Sequence, residues 1–180
     1  FAKNILKFRD ENWPYLTGAK AIPGNLPKIK VSSERLAVLE KAFSNSFAFE
    51  NFWPSLNFIC SWQSSACGLQ AKNLQSFIKT NHLRQIDATY SASEGWANVP
   101  IKNTVGGPIH PGAHVFEFSK PGDTSRLLKM WELQPGEIYE IYFTTAMGFI
   151  RYRLHDLIKC TGYFHQSPII EFYQKSGNDV

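Results

Sequence analysis

Two short stretches of this 180-residue chain carry residue types that do chemistry at close spacing. The first, Tyr90-Ser91-Ala92-Ser93-Glu94-Gly95, puts an aromatic plane, two hydroxyls, a carboxylate and a glycine within six residues. Tyr90 could stack on a flat base and Ser93 could donate to a phosphate oxygen. Glu94 could take a hard divalent cation, because magnesium prefers carboxylate oxygens supplemented by substrate phosphates. A plainer local role competes, in which Ser93 and Glu94 cap a following helix or turn, and local sequence by itself favours it. The second stretch, Tyr152-Arg153-Leu154-His155-Asp156, lies in GFIRYRLHDLIKCTGYF, where Arg151 and Arg153 alternate with Ile150, Tyr152 and Leu154. Alternation of that kind predicts a half-buried strand with Asp156 at its end, where a carboxylate could accept two hydrogen bonds from a ribose diol. Arg153 could pair with a carboxylate or lie on an exposed strand face, and an ordinary surface strand with a turn aspartate would need nothing more.

The elements that must position these residues follow from periodicity. Residues 57–62 form an apolar run of strand length, Gly68 precedes an amphipathic helix carrying Leu69, Leu74, Phe77 and Ile78, and residues 84–90 form a second strand that empties into the first motif. Strand, helix, strand is the order of a parallel sheet with crossover helices, and such sheets bind ligands beyond the carboxyl ends of their strands. Upstream, a short helix through Phe8 gives way at Trp13-Pro14, Gly18, Pro23-Gly24 and Pro27 to a connecting arm. A helix follows, capped by Ser32 or Ser33, with Leu36, Leu39, Phe43 and Phe47 on one stripe. Beyond Gly106-Gly107-Pro108 the pattern becomes short strands at residues 114–119, 138–145, 149–154 and 169–173, turning at Lys120-Pro121-Gly122-Asp123 and Gln134-Pro135-Gly136-Glu137. The predicted class is therefore α/β. Residues 1–108 form an arm plus an α/β portion with a mainly parallel sheet, and residues 109–180 form an antiparallel or barrel-like β unit.

Composition narrows the function. The net charge of +4 is spread thinly, its largest local cluster being Lys20, Lys28 and Lys30, which argues against a nucleic-acid partner. No apolar run has the length to cross a bilayer and the first residues lack the pattern of a secretory signal, so no membrane partner and a cytoplasmic location are expected. Cys60, Cys67 and Cys160 form an odd set without CxxC, as expected of reduced, buried thiols. His110 and His114 are separated by Pro111 and Gly112, so they cannot share a helix face and read as a turn containing histidines rather than a metal site.

Taken together, the two motifs and the sequence between them resemble a known pattern. Tyr90-x-x-Ser93-Glu94-Gly95, Val115-Phe116-Glu117-Phe118, Tyr139-Glu140, Thr144-Thr145, Gly148 and Tyr152-Arg153-x-x-Asp156 are similar to the Gretchen Hagen family of acyl acid amido synthetases, known from auxin-responsive plant genes and with bacterial relatives. Trp53-Pro54-x-Leu56, Gly162-Tyr163 and Pro168 extend the resemblance from about residue 50 to the end. That family belongs to the adenylate-forming superfamily. The resemblance implies activation of a carboxylic acid by ATP and magnesium to an acyl-adenylate, followed by attack of an amine, usually an amino acid. It implies Tyr90 against adenine, Ser93 near the α-phosphate, Glu94 on magnesium and Asp156 on the ribose hydroxyls.

Two positions depart from the family: His155 stands where glycine is usual, and Lys175 about where an arginine would open the hinge. Residues 1–50 contain nothing like the family's phosphate loop, and its catalytic lysine would lie beyond the end, so the chain is expected to be a central fragment, inactive in adenylation alone. A non-catalytic nucleotide-binding or interaction module, or a relative of acyl-CoA ligases, are the alternatives. Thr89, Phe58 and Trp62 are candidate lining of an acyl pocket, with a core role favoured for the two aromatics.

Overall fold

The computed structural model describes all residues except 1, 22–23, 25–30, 45–47, 102–103 and 178–180, and no side chains for 2–6. Pro23, Pro27, Lys28, Lys30 and Phe47, all used in the sequence reading, lie outside the described residues. The chain divides into two compact units, one of residues 1–57 and 76–84, the other of residues 58–75 and 85–180.

The first unit is helical. Helix α1 runs Ala2–Leu16, beyond the expected end at Phe8. Pro14 is tolerated because it lies in the last turn, where its missing N–H removes only one helical hydrogen bond, and Gly18 at φ +77° follows the end. Helix α2 spans Ser33–Ser44 and is capped by Ser32, whose Oγ accepts the Arg35 N–H at 3.2 Å. Its Phe43 ring meets Phe52 of the short helix α3 (Phe49–Phe52) edge-on at 4.9 Å, and Trp13 approaches Phe43 at 5.9 Å.

The second unit carries the sheets. Strand β1 (Phe58–Ser61), helix α4 (Cys67–Gln75) and strand β2 (Arg84–Asp87) follow the predicted order. Arg84 N–H donates to Asn57 O and Ala88 N–H to Ser61 O, the same offset at both ends, as in strands that run in one direction. Then come β3 (Ser91–Ala92), β4 (Gly95–Trp96), β5 (Gly107–Pro108), β6 (Val115–Lys120), β7 (Asp123–Leu128), a 3₁₀ turn at Met130–Glu132, β8 (Ile138–Thr144), β9 (Tyr152–Phe164) and β10 (Ser167–Lys175). Six of them form one sheet in the order β5-β10-β9-β8-β6-β7, antiparallel at each of its pairings. The dominant sheet is thus antiparallel, as expected for residues 109–180, while the mainly parallel sheet expected within residues 1–108 is limited among the described residues to the two-stranded β1–β2 pair.

Alternation explains which face is core. Phe116 and Phe118 on β6, Tyr139, Ile141 and Phe143 on β8, and Leu154, Ile158 and Cys160 on β9 pack with Ala97, Ile109, Leu133 and Ile170. Each fully buried large apolar side chain there contributes on the order of 2 kcal/mol. The intervening residues of β6 and β8 are polar and nevertheless buried: Glu117, Ser119, Glu140 and Tyr142. Arg153 grips Glu140 with two hydrogen bonds, at 2.7 and 2.8 Å, while Lys129 and Arg151 each approach Glu117 at 2.8 Å. The lysine and arginine bonds hold the Glu117 carboxyl below its usual range, and the Arg153 bond does the same for Glu140.

Strand β9 does not stop at Asp156 as alternation suggested; it continues to Phe164. Between the pairs Tyr142–Arg153 and Glu140–Leu157, three β9 residues oppose the single Ile141, so the strand bulges, with His155 in the left-handed region at φ +57°. A bulge of this kind favours glycine, which lacks the Cβ that strains a left-handed backbone. Replacing His155 by glycine is expected to stabilise the unit by ~0.5–1 kcal/mol, the relief of the left-handed strain exceeding the added chain entropy. An unchanged or lower urea midpoint at constant m would contradict this.

Candidate functional site

The site is built outward from two buried polar side chains that have no pattern in the sequence. Asp87, at the end of β2, is 3% exposed. Its carboxylate accepts the backbone N–H groups of Gln63 (2.8 Å), Ala88 (2.9 Å) and Gly106 (2.5 Å), drawing three separate segments together. Gly106 must be glycine here, since at φ +76° a Cβ would stand 2.3 Å from the Ile170 carbonyl oxygen. Asn98, 1% exposed, accepts the Tyr90 N–H at 2.7 Å and donates to Ile170 O at 3.1 Å. Tyr90 is therefore pinned at its backbone to β10 through one amide side chain.

The Tyr90 ring stacks on Phe172 of β10, with centroids 6.1 Å apart and planes 29° from parallel. Its hydroxyl donates to Asp156 Oδ2 at 2.6 Å. Burial, then the hydrogen bond to Asp156, pushes this hydroxyl above the usual tyrosine range, so it is a donor at neutral pH. Asp156 itself is 4% exposed, and its other oxygen forms an ion pair with Lys175, which the β9–β10 register places directly opposite. Lys175 also donates to Leu154 O at 3.2 Å, across the bulge. Asp156 is thus presented by an irregularity within a long strand, not by a strand end.

These groups face a cavity of about 330 Å³ whose lining includes Trp62, Cys67, Tyr90, Asp156, Phe172 and Lys175. A mostly apolar concavity with a few convergent polar groups is the usual form of a small-molecule site. Trp62 and Phe58, favoured for the core in the sequence, are 60% and 56% exposed, and Trp62 lines the cavity. Thr89 is half-buried and outside the cavity lining. Cys60 and Cys67 are exposed and Cys160 is buried, so only the last fits the expectation of buried thiols.

Of the four sequence candidates, Tyr90 and Asp156 are brought into direct contact. Ser93 and Glu94 form the two-residue turn of the β3–β4 hairpin rather than a helix cap, Ser93 exposed and Glu94 half-buried. They are not among the residues that line the cavity, to which this segment contributes Tyr90, Ser91 and Ala92, although the Glu94 charge bears on the Tyr90 hydroxyl. Gly95 ends the turn at φ +158°, and a Cβ there would stand 2.4 Å from the His114 ring. Among the described residues no three or more His, Cys, Asp or Glu side chains gather as a metal cage. A lone carboxylate such as Glu94 fits magnesium, which keeps waters and substrate phosphates as its other ligands.

The groups missed in the sequence are Asp87, Asn98 and Phe172. Each acts through a partner far along the chain, and no local spacing announces such a role. Among the described residues no helix is long and apolar enough to cross a membrane.

Comparison with known proteins agrees with the resemblance read from the motifs. Residues 107–175 match the model of the GH3 family central domain. A jasmonoyl-L-amino acid synthetase, JAR6 of Nicotiana attenuata, is 27% identical over 126 residues, covering 61% of this chain and 22% of the relative. The probable indole-3-acetic acid-amido synthetase GH3.9 of Oryza sativa subsp. japonica is 24% identical over 131 residues, 68% of this chain and 29% of the relative. Among solved structures, the AtGH3.15 acyl acid amido synthetase in complex with 2,4-DB superposes with a TM-score of 0.71 at 23% identity, over 96% of this chain and 34% of its own. The fold is therefore shared with that enzyme. The chain spans well under half the length of each of these proteins.

Proposed function

Taking residues 107–175 as GH3 central-domain sequence, we propose that this chain is the adenosine-facing part of an ATP-dependent acid–amine ligase. The parent activates a small carboxylic acid as an acyl-adenylate and conjugates it to an amino acid, with ATP and magnesium, in the cytoplasm. The carrying observation is the meeting of Tyr90 and Asp156, 66 positions apart in sequence, through a 2.6 Å hydrogen bond at one cavity. Relatives named as amido synthetases of jasmonic and indole-3-acetic acids support the reaction class.

In this reading the chain's residues bind and orient. The Tyr90 ring, braced by Phe172, lies against adenine, and Asp156 accepts the ribose hydroxyls once Tyr90 and Lys175 release it. Ser93, on the hairpin turn, donates toward the α-phosphate, and Glu94 would hold magnesium. That ion, when bound, offsets the repulsion between the carboxylate and the triphosphate. Holding the α-phosphate in line with the acid is a positioning effect, worth several kcal/mol when the geometry is fixed.

The test is a titration of the chain with AMP, followed by tryptophan fluorescence and repeated on Trp62→Phe, which should lose the change. Saturable quenching, competed by adenosine and absent with inorganic phosphate, is expected. A flat titration up to millimolar AMP would remove the nucleotide assignment and with it the ligase reading. Pyrophosphate exchange by the chain itself is expected to be absent.

A further inference from the structure

Three polar atoms at one end of the large sheet are buried and have no hydrogen-bond partner among the described residues: Nδ1 and Nε2 of His114 and Oγ1 of Thr145. The register that pairs Val115 with Thr144 brings His114 level with Thr145. The imidazole stacks on Phe143 at 5.9 Å and 23° and meets Phe116 edge-on at 5.9 Å. Thr145 is only 8% exposed. Its backbone is fixed by its own N–H to Phe149 O (2.9 Å) and by the Gly148 N–H to its carbonyl (3.2 Å). Leaving a buried hydroxyl or ring nitrogen unpaired is expensive, and phenylalanine and valine would fill the same space without that cost. Polar side chains held rigidly and left without partners fit a site whose partner arrives from outside.

We propose that His114 and Thr145 form a seat for the carboxylate of a small organic acid, reached when the Ser93–Glu94 turn lifts Gly95 away from the ring. The proposal rests on the ligase reading and names the atoms that hold its acid substrate. A neutral imidazole offers one N–H and threonine one O–H, and a carboxylate accepts both. Lys129 and Arg151, which flank the ends of β7 and β9, are already committed to Glu117. Neutral donors suit a carboxylate that must act as a nucleophile, because an arginine partner would lower its basicity more strongly. The β3–β4 hairpin pairs Ser91 with Trp96 and Ala92 with Gly95, with one further bond from the Ala97 N–H to Tyr90 O at 3.0 Å, and so short a ribbon has little stability of its own.

The experiment follows the ring nitrogens of His114 in the ¹⁵N-histidine-labelled chain during titration with benzoate, with inorganic phosphate as the second arm. Benzoate is expected to shift the His114 signals saturably, and phosphate is expected to leave them in place. Thr145→Val and His114→Phe should each weaken benzoate about tenfold, the loss of one hydrogen bond to a charged group, with Thr145→Ser restoring most of it. Unmoved His114 signals at saturating benzoate, equal shifts with phosphate, or equal benzoate binding by the variants would overturn the seat. If a variant fails to fold, the titration of the native chain decides. AMP binding is read separately: a chain that seats benzoate but ignores AMP keeps this site and loses the nucleotide reading.

Discussion

Replacing Asp156 by alanine is expected to weaken AMP binding by about 30- to 100-fold. Two ribose hydroxyls donating to a buried carboxylate contribute about 1.5 kcal/mol each, and about 3 kcal/mol corresponds to roughly two decades in Kd. The free chain reduces that gain, because Asp156 already accepts the Tyr90 hydroxyl and pairs with Lys175. Nucleotide must displace both, which sets the lower end of the range. The same competition gives the complementary substitution a sign of its own. Tyr90→Phe keeps the ring on Phe172 and removes the hydroxyl that occupies Asp156, so AMP should bind this variant as well as, or a few-fold better than, the original chain. Isothermal titration of the three proteins at one salt concentration checks both. Wild-type affinity in Asp156→Ala, or a large loss in Tyr90→Phe, would mean that the ribose does not meet this carboxylate.

Arg153→Met should lower stability by about 3 kcal/mol, with Tm falling on the order of 10 °C. Glu140 is 0% exposed and depends on the two guanidinium bonds; without them it becomes a buried charge left with Ser176 Oγ at 3.1 Å, the Tyr142 hydroxyl at 3.5 Å and the more distant His155 ring at 3.8 Å. Arg153 is itself 41% exposed, and solvent screening keeps the value at the low end for a broken buried pair. The pH dependence has a defined direction. The Glu140 carboxyl is held below its usual range in the folded chain. Its contribution is therefore complete above the unfolded pKa of about 4.3 and is lost as pH falls through the lower folded value. Thermal unfolding of the wild type between pH 7 and 3 should show a steep acid limb. In Arg153→Met that limb should flatten, because the charged form has lost its main partner. Parallel acid limbs in the two proteins would show that the pair does not drive the acid sensitivity.

What could be read from the sequence was whatever depends on near neighbours. The helix stripe of Leu36, Leu39 and Phe43, the cap at Ser32 and the turn at Pro121-Gly122 are local patterns, and the structure has each of them. The resemblance to one family pattern implied a common site for Tyr90 and Asp156, and the structure has the two side chains in direct contact. The alternation through Arg151 and Arg153 was misleading in two respects. It does not end at Asp156, and Ile150, placed on the apolar side, is 79% exposed. A bulge is set by pairing with another strand, and Ile141 is not visible from residue 155. Strand β7 also escaped notice: Asp-Thr-Ser-Arg is polar on both faces because this edge strand buries neither face there. Helix α1 outruns the end expected at Phe8 because the effect of Pro14 depends on its place within the last turn.

The same outer strand bears on how the protein behaves in crowded solution. Its first four residues, Asp123 to Arg126, are all exposed, and Asp123 folds back to accept the N–H and hydroxyl of Ser125 at 2.9 and 2.6 Å. One amide that could recruit a foreign strand is thereby already engaged, and the charges of Asp123 and Arg126 make the rim costly to dehydrate. The most accessible border of the sheet is a poor template for fibril growth, so at high concentration self-association should begin elsewhere than along this rim.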